Sequence, residues 1–244
     1  MGQSKMNLKK LKLRRRLSIA DGLFIVFGTF VLLNGLLGSG IFPTDQLAAL
    51  LPGGVTVVNR LLVQQTLQTV VMLGLTLFFL YPLRGSNLRQ IGLRPLANQR
   101  WIGRAVGLGV LTFFVMTAIS MMMTALLPQM AEPQNITTLI MRAQSTWEWI
   151  AVLLMVSVMA PLSEEILFRG YIYHSLRNYY SVNYSILVAS LLFGAVHYDL
   201  FRLLPLTLVG ICLNMASVRA NSLWASIIMH STWNFITAML VLMV

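Results

Sequence analysis

The chain of 244 residues holds one cysteine, Cys212, and only 7 acidic residues. A single cysteine cannot form an internal bridge, which excludes a disulfide-framed scaffold. Charged residues make up 10% of the sequence, where a soluble domain carries about 25%. Hydrophobic residues make up 57%. A chain this apolar cannot hide its side chains inside a water-facing globule, so soluble enzymes and disordered segments are both excluded. What it has in excess is positive charge: 18 basic residues and a formal net charge of +11. In a soluble protein that imbalance would point to nucleic acid. Here the position of the charges decides what they mean.

All four lysines lie in the first twelve residues, and with Arg14, Arg15 and Arg16 they form a cluster of seven positive charges. The apolar run over 19–42 that follows is longer than a signal-peptide core and has no small-residue cleavage site, so it reads as a retained span. Further apolar runs recur at 61–83, 105–127, 149–168, 184–197, 203–218 and 223–244. Most approach the ~20 residues that a helix needs to cross the hydrocarbon core. The expected fold is an all-α, polytopic transmembrane helix bundle of about seven spans. With the N-terminus inside, the inner segments carry 15 basic residues and the outer ones only Arg60, Arg142 and Arg202. That asymmetry is the one that sets orientation, so the N-terminus is read as cytoplasmic. The basic excess is then a topology signal, with acidic lipid headgroups as its partners and no nucleic acid. The predicted location is a cell membrane, crossed several times; the long basic N-terminus favours a bacterial plasma membrane. Three regions follow: a basic arm over 1–18, accessory spans over 19–148 and a core over 149–244.

Five of the seven tyrosines, Tyr171, Tyr173, Tyr179, Tyr180 and Tyr184, fall between the fourth and fifth runs. Tyrosine favours headgroup level, so this connector is expected to lie along the inner interface. Gly103-x-x-x-Gly107 matches a helix-packing spacing, but a lone match in a glycine-bearing span carries little weight.

Asp21, Asp45, Glu132 and Glu148 are expected at span ends or in outer loops. Glu164 and Glu165 are different, adjacent in the apolar run MVSVMAPLSEEILFRGYIY. An ionisable residue at membrane depth costs at least ~2.5–3.5 kcal/mol. Arg169, four residues past Glu165, shares its helix face and offers a buried ion pair. Glu164 lies about 100° round the helix and is left free to point elsewhere.

The histidines divide in the same way. His174, among the tyrosines, reads as a headgroup-level polar residue. His197 closes the fifth run, and His230 sits inside the last, with Asn234 one turn further on the same face. Either histidine alone could be a hydrogen-bonded core residue; three spans each supplying a polar group in so apolar a chain suggest a site. A carboxylate with an imidazole can deprotonate water, and a second imidazole with a carboxamide can donate to a developing oxyanion. Those are the parts of a hydrolase of carbonyl compounds. No G-x-S-x-G and no H-E-x-x-H motif competes. Glu164, His197 and His230 could also bind zinc, since ligand count and type suit.

The series Glu164-Glu165-x-x-x-Arg169, Phe193-x-x-x-His197 and His230-x-x-x-Asn234, with Pro161 just upstream, resembles the motifs of the CPBP family. This family, also called ABI, includes CAAX prenyl proteases and bacteriocin-processing or immunity proteins. The resemblance spans roughly 149–244. It implies an intramembrane endopeptidase in which Glu164 and His197 activate water, while His230 and Asn234 stabilise the oxyanion. Glu165 and Arg169 would orient the site, and Phe193 would form a cavity wall. It implies either no metal, the preferred reading, or zinc. The substrate would be a membrane-associated peptide or protein tail. A non-catalytic scaffold or immunity protein acting through partner binding is the alternative reading.

One expectation conflicts with straight helices of these bounds. Glu164 would lie near the inner end of its span, and His197 about 20 Å in from the inner face at 1.5 Å per residue. Either the fourth span runs on through the tyrosines, or the fifth is tilted and begins below the interface.

Overall fold

A computed structural model of the chain describes residues 17–130 and 142–243. Residues 1–16 of the basic arm and Glu132 lie outside the described residues. Within them the regular elements are helices, with no strand, and six helices are long and apolar enough to cross a membrane. They are α1 (Ile19–Gly38), α3 (Val57–Leu83), α4 (Arg100–Leu126), α5 (Thr146–Arg177), α7 (Leu200–Ala220) and α8 (Leu223–Leu242). The short α2 (Thr44–Ala49) precedes α3. The apolar α6 (Val182–Ala195), at 14 residues, is shorter than a full span. The expected helical bundle of a multi-pass membrane protein is therefore what the sequence builds.

Local chemistry sets the starts of several helices. Thr56 accepts the Asn59 amide at the head of α3, Ser145 that of Glu148 in α5, and Ser181 that of Tyr184 in α6. Each satisfies an amide that the first turn leaves unpaired. The Asn221 turn between α7 and α8 has φ 53°, the left-handed conformation that asparagine tolerates at a helix end.

The helix that carries the two glutamates is much longer than the apolar run suggested. It continues through Tyr171 and Tyr173, which are 0% and 6% exposed, so these two tyrosines belong to the core and not to an interfacial connector. His174 is likewise packed in the bundle, its Nδ1–H shared between the carbonyls of Gly170 and Arg169. Tyr179, Tyr180 and Tyr184 remain exposed. The helix has two π-helical stretches, Met155–Met159 and Ile166–Ile172, flanking the turn Ala160–Glu165. The first has a cause in the sequence. Pro161 brings no N–H and its ring would strike the carbonyl four residues back, and a π-turn relieves that clash.

Asp21 stands at a span end, in the first turn of α1, as expected, but it is not solvated there. It is 8% exposed and binds two partners: Arg84 through both carboxylate oxygens, at 2.5 and 2.7 Å, and the Tyr171 hydroxyl at 2.8 Å. The carboxylate ties α1 and the end of α3 to α5. Glu148 is buried too, accepting the Gln144 amide at 2.8 Å.

Close approaches of backbone set the packing around the site. A Cβ at Gly109 would lie 2.7 Å from the Met229 carbonyl oxygen and from Thr232 Cβ, so α4 and α8 touch there. A Cβ at Gly210 would meet Ser190 at 2.9 Å, which seats α7 on α6. Gly103 and Gly107 have no such neighbour within 4 Å, so their spacing is not a packing face.

The loop between α3 and α4 closes one end of the bundle. Ile91 is fully buried, and the Leu223 amide donates to the Gly92 carbonyl at 2.9 Å. Arg94 Nε donates to the Asn221 carbonyl at 2.7 Å, and Ser222 Oγ to the Arg94 carbonyl at 2.5 Å. This strap joins the arginine-rich end of α3 and α4 to the turn between α7 and α8.

Candidate active site

The extension of α5 resolves the depth conflict. Glu164 stands 13 residues before Arg177, and His197 stands 15 residues after Val182. At 1.5 Å per residue both lie ~20 Å from the same end of the bundle. Of the two possible solutions, the longer fourth span is the one adopted. α5 and α6 meet through a short turn, and their polar residues arrive level.

Glu165 and Arg169 are fully buried and form the expected i,i+4 ion pair at 2.9 Å. The π-helical stretch that begins at Ile166 does not break it. A second partner of Glu165 comes from another helix: His230 Nδ1 lies 2.8 Å from the same Oε1. A carboxylate only accepts, so Nδ1–H donates to it, and His230 presents Nε2 on the other side of its ring. That Nε2 is 4.0 Å from Glu164 Oε2. Arg169 also donates from Nη2 to the Gly210 carbonyl at 3.4 Å and lies over the Phe193 ring, 4.2 Å from its centroid. The glutamate is thus held between a guanidinium on its own helix and an imidazole on α8, the paired condition that makes a buried charge tolerable.

His197 is fixed by its own helix. Its Nδ1 lies 2.7 Å from the Phe193 carbonyl, and a carbonyl only accepts, so Nδ1 carries the proton and Nε2 remains. Phe193 is 1% exposed and packs edge-on against Phe168, His197 and His230. Trp233 stacks on His230 with ring centroids 5.8 Å apart.

Asn234 is held by the unusual backbone of α5. In the π-turn the Ala160 amide reaches back to the Met155 carbonyl, so it leaves the Val156 carbonyl unclaimed. The next amide along would belong to Pro161, which has none. Asn234 Nδ2 fills this position, donating to Val156 O at 2.9 Å. One N–H of the carboxamide is thereby used and the second stays available.

Glu164, Phe193, His197, His230, Trp233 and Asn234 line one cavity of about 1570 Å³. Glu165 and Arg169 sit behind that wall, without exposure. All the predicted site residues are therefore brought together, with Glu164 on the cavity side and Glu165 on the supporting side. Among the described residues, no three His, Cys, Asp or Glu side chains are grouped so as to hold a metal ion.

Two further residues, Asn214 and Trp233, belong to the assembly. Asn214 on α7 is fully buried and donates to Ser190 Oγ at 3.0 Å and to the Gly210 carbonyl at 3.1 Å. It shares that carbonyl with Arg169. Its signal in the sequence is the same as that of the glutamates, an amide inside an apolar run. Trp233 carried no such signal, because an aromatic in a span reads as packing.

Residues 146–236 match the family model described as type II CAAX prenyl endopeptidase, Rce1-like. A Bacillus subtilis protein named "Putative membrane peptidase YdiL" is 33% identical over 78 residues, 32% of this chain and 32% of that protein. An Escherichia coli protein named "Uncharacterized 24.3 kDa protein" is 36% identical over 86 residues, 33% of this chain and 40% of that protein. The matched segments thus span well under half of the length of these curated relatives. No solved structure matches. The matched region takes in α5, α6, α7 and most of α8, including every residue of the three motifs. Over residues 146–236 this multi-pass membrane protein is thus similar to the Rce1-like type II CAAX prenyl endopeptidases.

Proposed function

We propose that the protein is an intramembrane endopeptidase that hydrolyses a peptide bond in a membrane-associated peptide or protein tail. The observation that carries this reading is the convergence of Glu164, His197, His230 and Asn234, from three separate parts of the chain, on one cavity. Keeping four such groups within a bilayer costs several kcal/mol, and a common polar cavity is what offsets it.

The hydrogen bonds of the two histidines and Asn234 support the following division of roles. Glu164 and the Nε2 of His197 take a proton from a water molecule as its oxygen attacks the scissile carbonyl carbon. His230, with Nδ1–H committed to Glu165, offers Nε2–H to the forming oxyanion when it is an imidazolium. The second N–H of Asn234 is the other oxyanion donor. When the tetrahedral intermediate collapses, the C–N bond breaks and the proton held at Glu164 or His197 passes to the leaving nitrogen. Arg169 and Phe193 position Glu165 and the two imidazoles.

Zinc would need Glu164, His197 and His230 to be drawn closer together than they stand here, and would then supply a water of lowered pKa. The preferred reading assigns proton transfer and oxyanion binding to the side chains without it.

The test is single substitution of Glu164 and His197 by Ala, with cleavage of a processed peptide and membrane level both measured. Loss of processing by normally inserted protein is expected. Unimpaired processing by inserted Glu164→Ala protein would sink the reading and favour a scaffold that binds partners without cutting them.

A further inference from the structure

The walls of the cavity come from one half of the bundle. On α3 they are Val57, Leu61 and Gln65, at the end remote from Arg84. On α4 they begin at Phe113, thirteen residues or ~20 Å from Arg100, and run on to Ala125. On α7 they lie between Leu200 and Val209, far from Arg219, and on α8 they begin at His230. The candidate residues form its floor. Towards the arginine-rich end, below that floor, the packing is continuous. Phe168, Tyr171, Ile172 and Leu223 are each 3% exposed or less, and the strap closes over them. Ile91 wedges beside Gly170, where an added Cβ would meet it at 3.2 Å. Four hydrogen bonds at Gly92 and Arg94 then hold the strap to the turn between α7 and α8.

The arginines give this asymmetry a direction. Arg84, Arg89, Arg94, Arg100, Arg104, Arg177 and Arg219 all stand at the strapped end, and such an excess marks the cytoplasmic side. We infer that the cavity is entered from the opposite, outer side of the membrane, so the peptide that it accepts is presented from that side. The lining says what kind of segment this is. Met116, Met121, Met130 and Met155 stand with Phe113 and Trp233 around the polar floor. Methionine adapts to varied shapes, which suits an extended apolar peptide of relaxed sequence. A tail presented from the cytoplasmic face would meet the strap instead. The inference about the peptide rests on the peptidase reading; the side from which the cavity is reached does not.

Cysteine labelling reads that side alone. Cys212, the sole native thiol, is replaced by Ala, and Gln65→Cys or Thr237→Cys is introduced in the cavity wall, with Arg89→Cys on the strap loop as the inner reference. Intact spheroplasts and inverted vesicles are each treated with a charged, membrane-impermeant maleimide. The expected result is modification of both cavity thiols in spheroplasts and its loss in inverted vesicles, with the reverse for position 89. Failure of the outer reagent to reach either cavity thiol, or reaction of position 89 from outside, overturns the inference. Because no cleavage is measured, either result leaves the Glu164→Ala test of the peptidase reading independent.

Discussion

The carboxamide of Asn234 donates to the main-chain carbonyl of Val156 at 2.9 Å, and that carbonyl is open because Pro161 has no N–H to fill it. A proline on α5 thereby fixes a side chain on α8. The Pro161→Ala variant gains an amide five residues beyond Val156, positioned to compete for its carbonyl. Cleavage is expected to slow by about tenfold in kcat with KM nearly unchanged, since only the orientation of a transition-state donor is lost. Asn234→Ala should cost about 10²–10³-fold, the scale of a missing oxyanion donor. The double variant should be no slower than Asn234→Ala alone, because both changes act through one group. Additive losses in that kinetic cycle would refute the coupling.

The Glu165–Arg169 pair is fully buried, so breaking it leaves an uncompensated charge in the bundle. Arg169→Met is expected to destabilise the protein by about 3–5 kcal/mol, seen as a lower melting temperature in detergent. Replacing both partners together, Glu165→Gln with Arg169→Met, removes both charges and should recover a large part of that stability. It should not recover cleavage, because His230 then loses its carboxylate partner.

The contact of α4 with α8 depends on a glycine other than the pair that the small-residue spacing suggests. Gly109→Ala sets a methyl 2.7 Å from the Met229 carbonyl and is expected to cost about 1–3 kcal/mol as an overpacked contact. Gly103→Ala and Gly107→Ala meet no neighbour and should leave the melting temperature unchanged or raise it slightly. Thermal unfolding of the three variants side by side checks this.

Metal removal separates the two versions of the chemistry. The side-chain mechanism predicts that purified protein treated with a strong chelator keeps its cleavage rate, with metal well below one equivalent by elemental analysis. Loss of activity on chelation, restored by zinc alone, would assign Glu164, His197 and His230 as ligands.

The sequence by itself determined the spans, the charge asymmetry along them and the pairing of Glu165 with Arg169. Each rests on a local rule: apolar length against bilayer thickness, the count of arginines by loop, and the 3.6-residue turn that stacks i on i+4. It also singled out Glu164, His197, His230 and Asn234, because polar groups are costly in apolar runs wherever the helices end up. Only the tertiary structure decided which of these groups meet. That His230 bonds Glu165, leaving Glu164 to the cavity, depends on the rotation of α8 against α5. The π-turns of α5 alter that rotation in a way that no regular period predicts. Tyr171 and Tyr173 looked interfacial because residue type and position near a span end were all the sequence offered. Their burial follows from α5 running a further nine residues beyond the apolar segment, 168 to 177. That length is set by packing against α1, α3 and the strap, since hydropathy falls before the helix does.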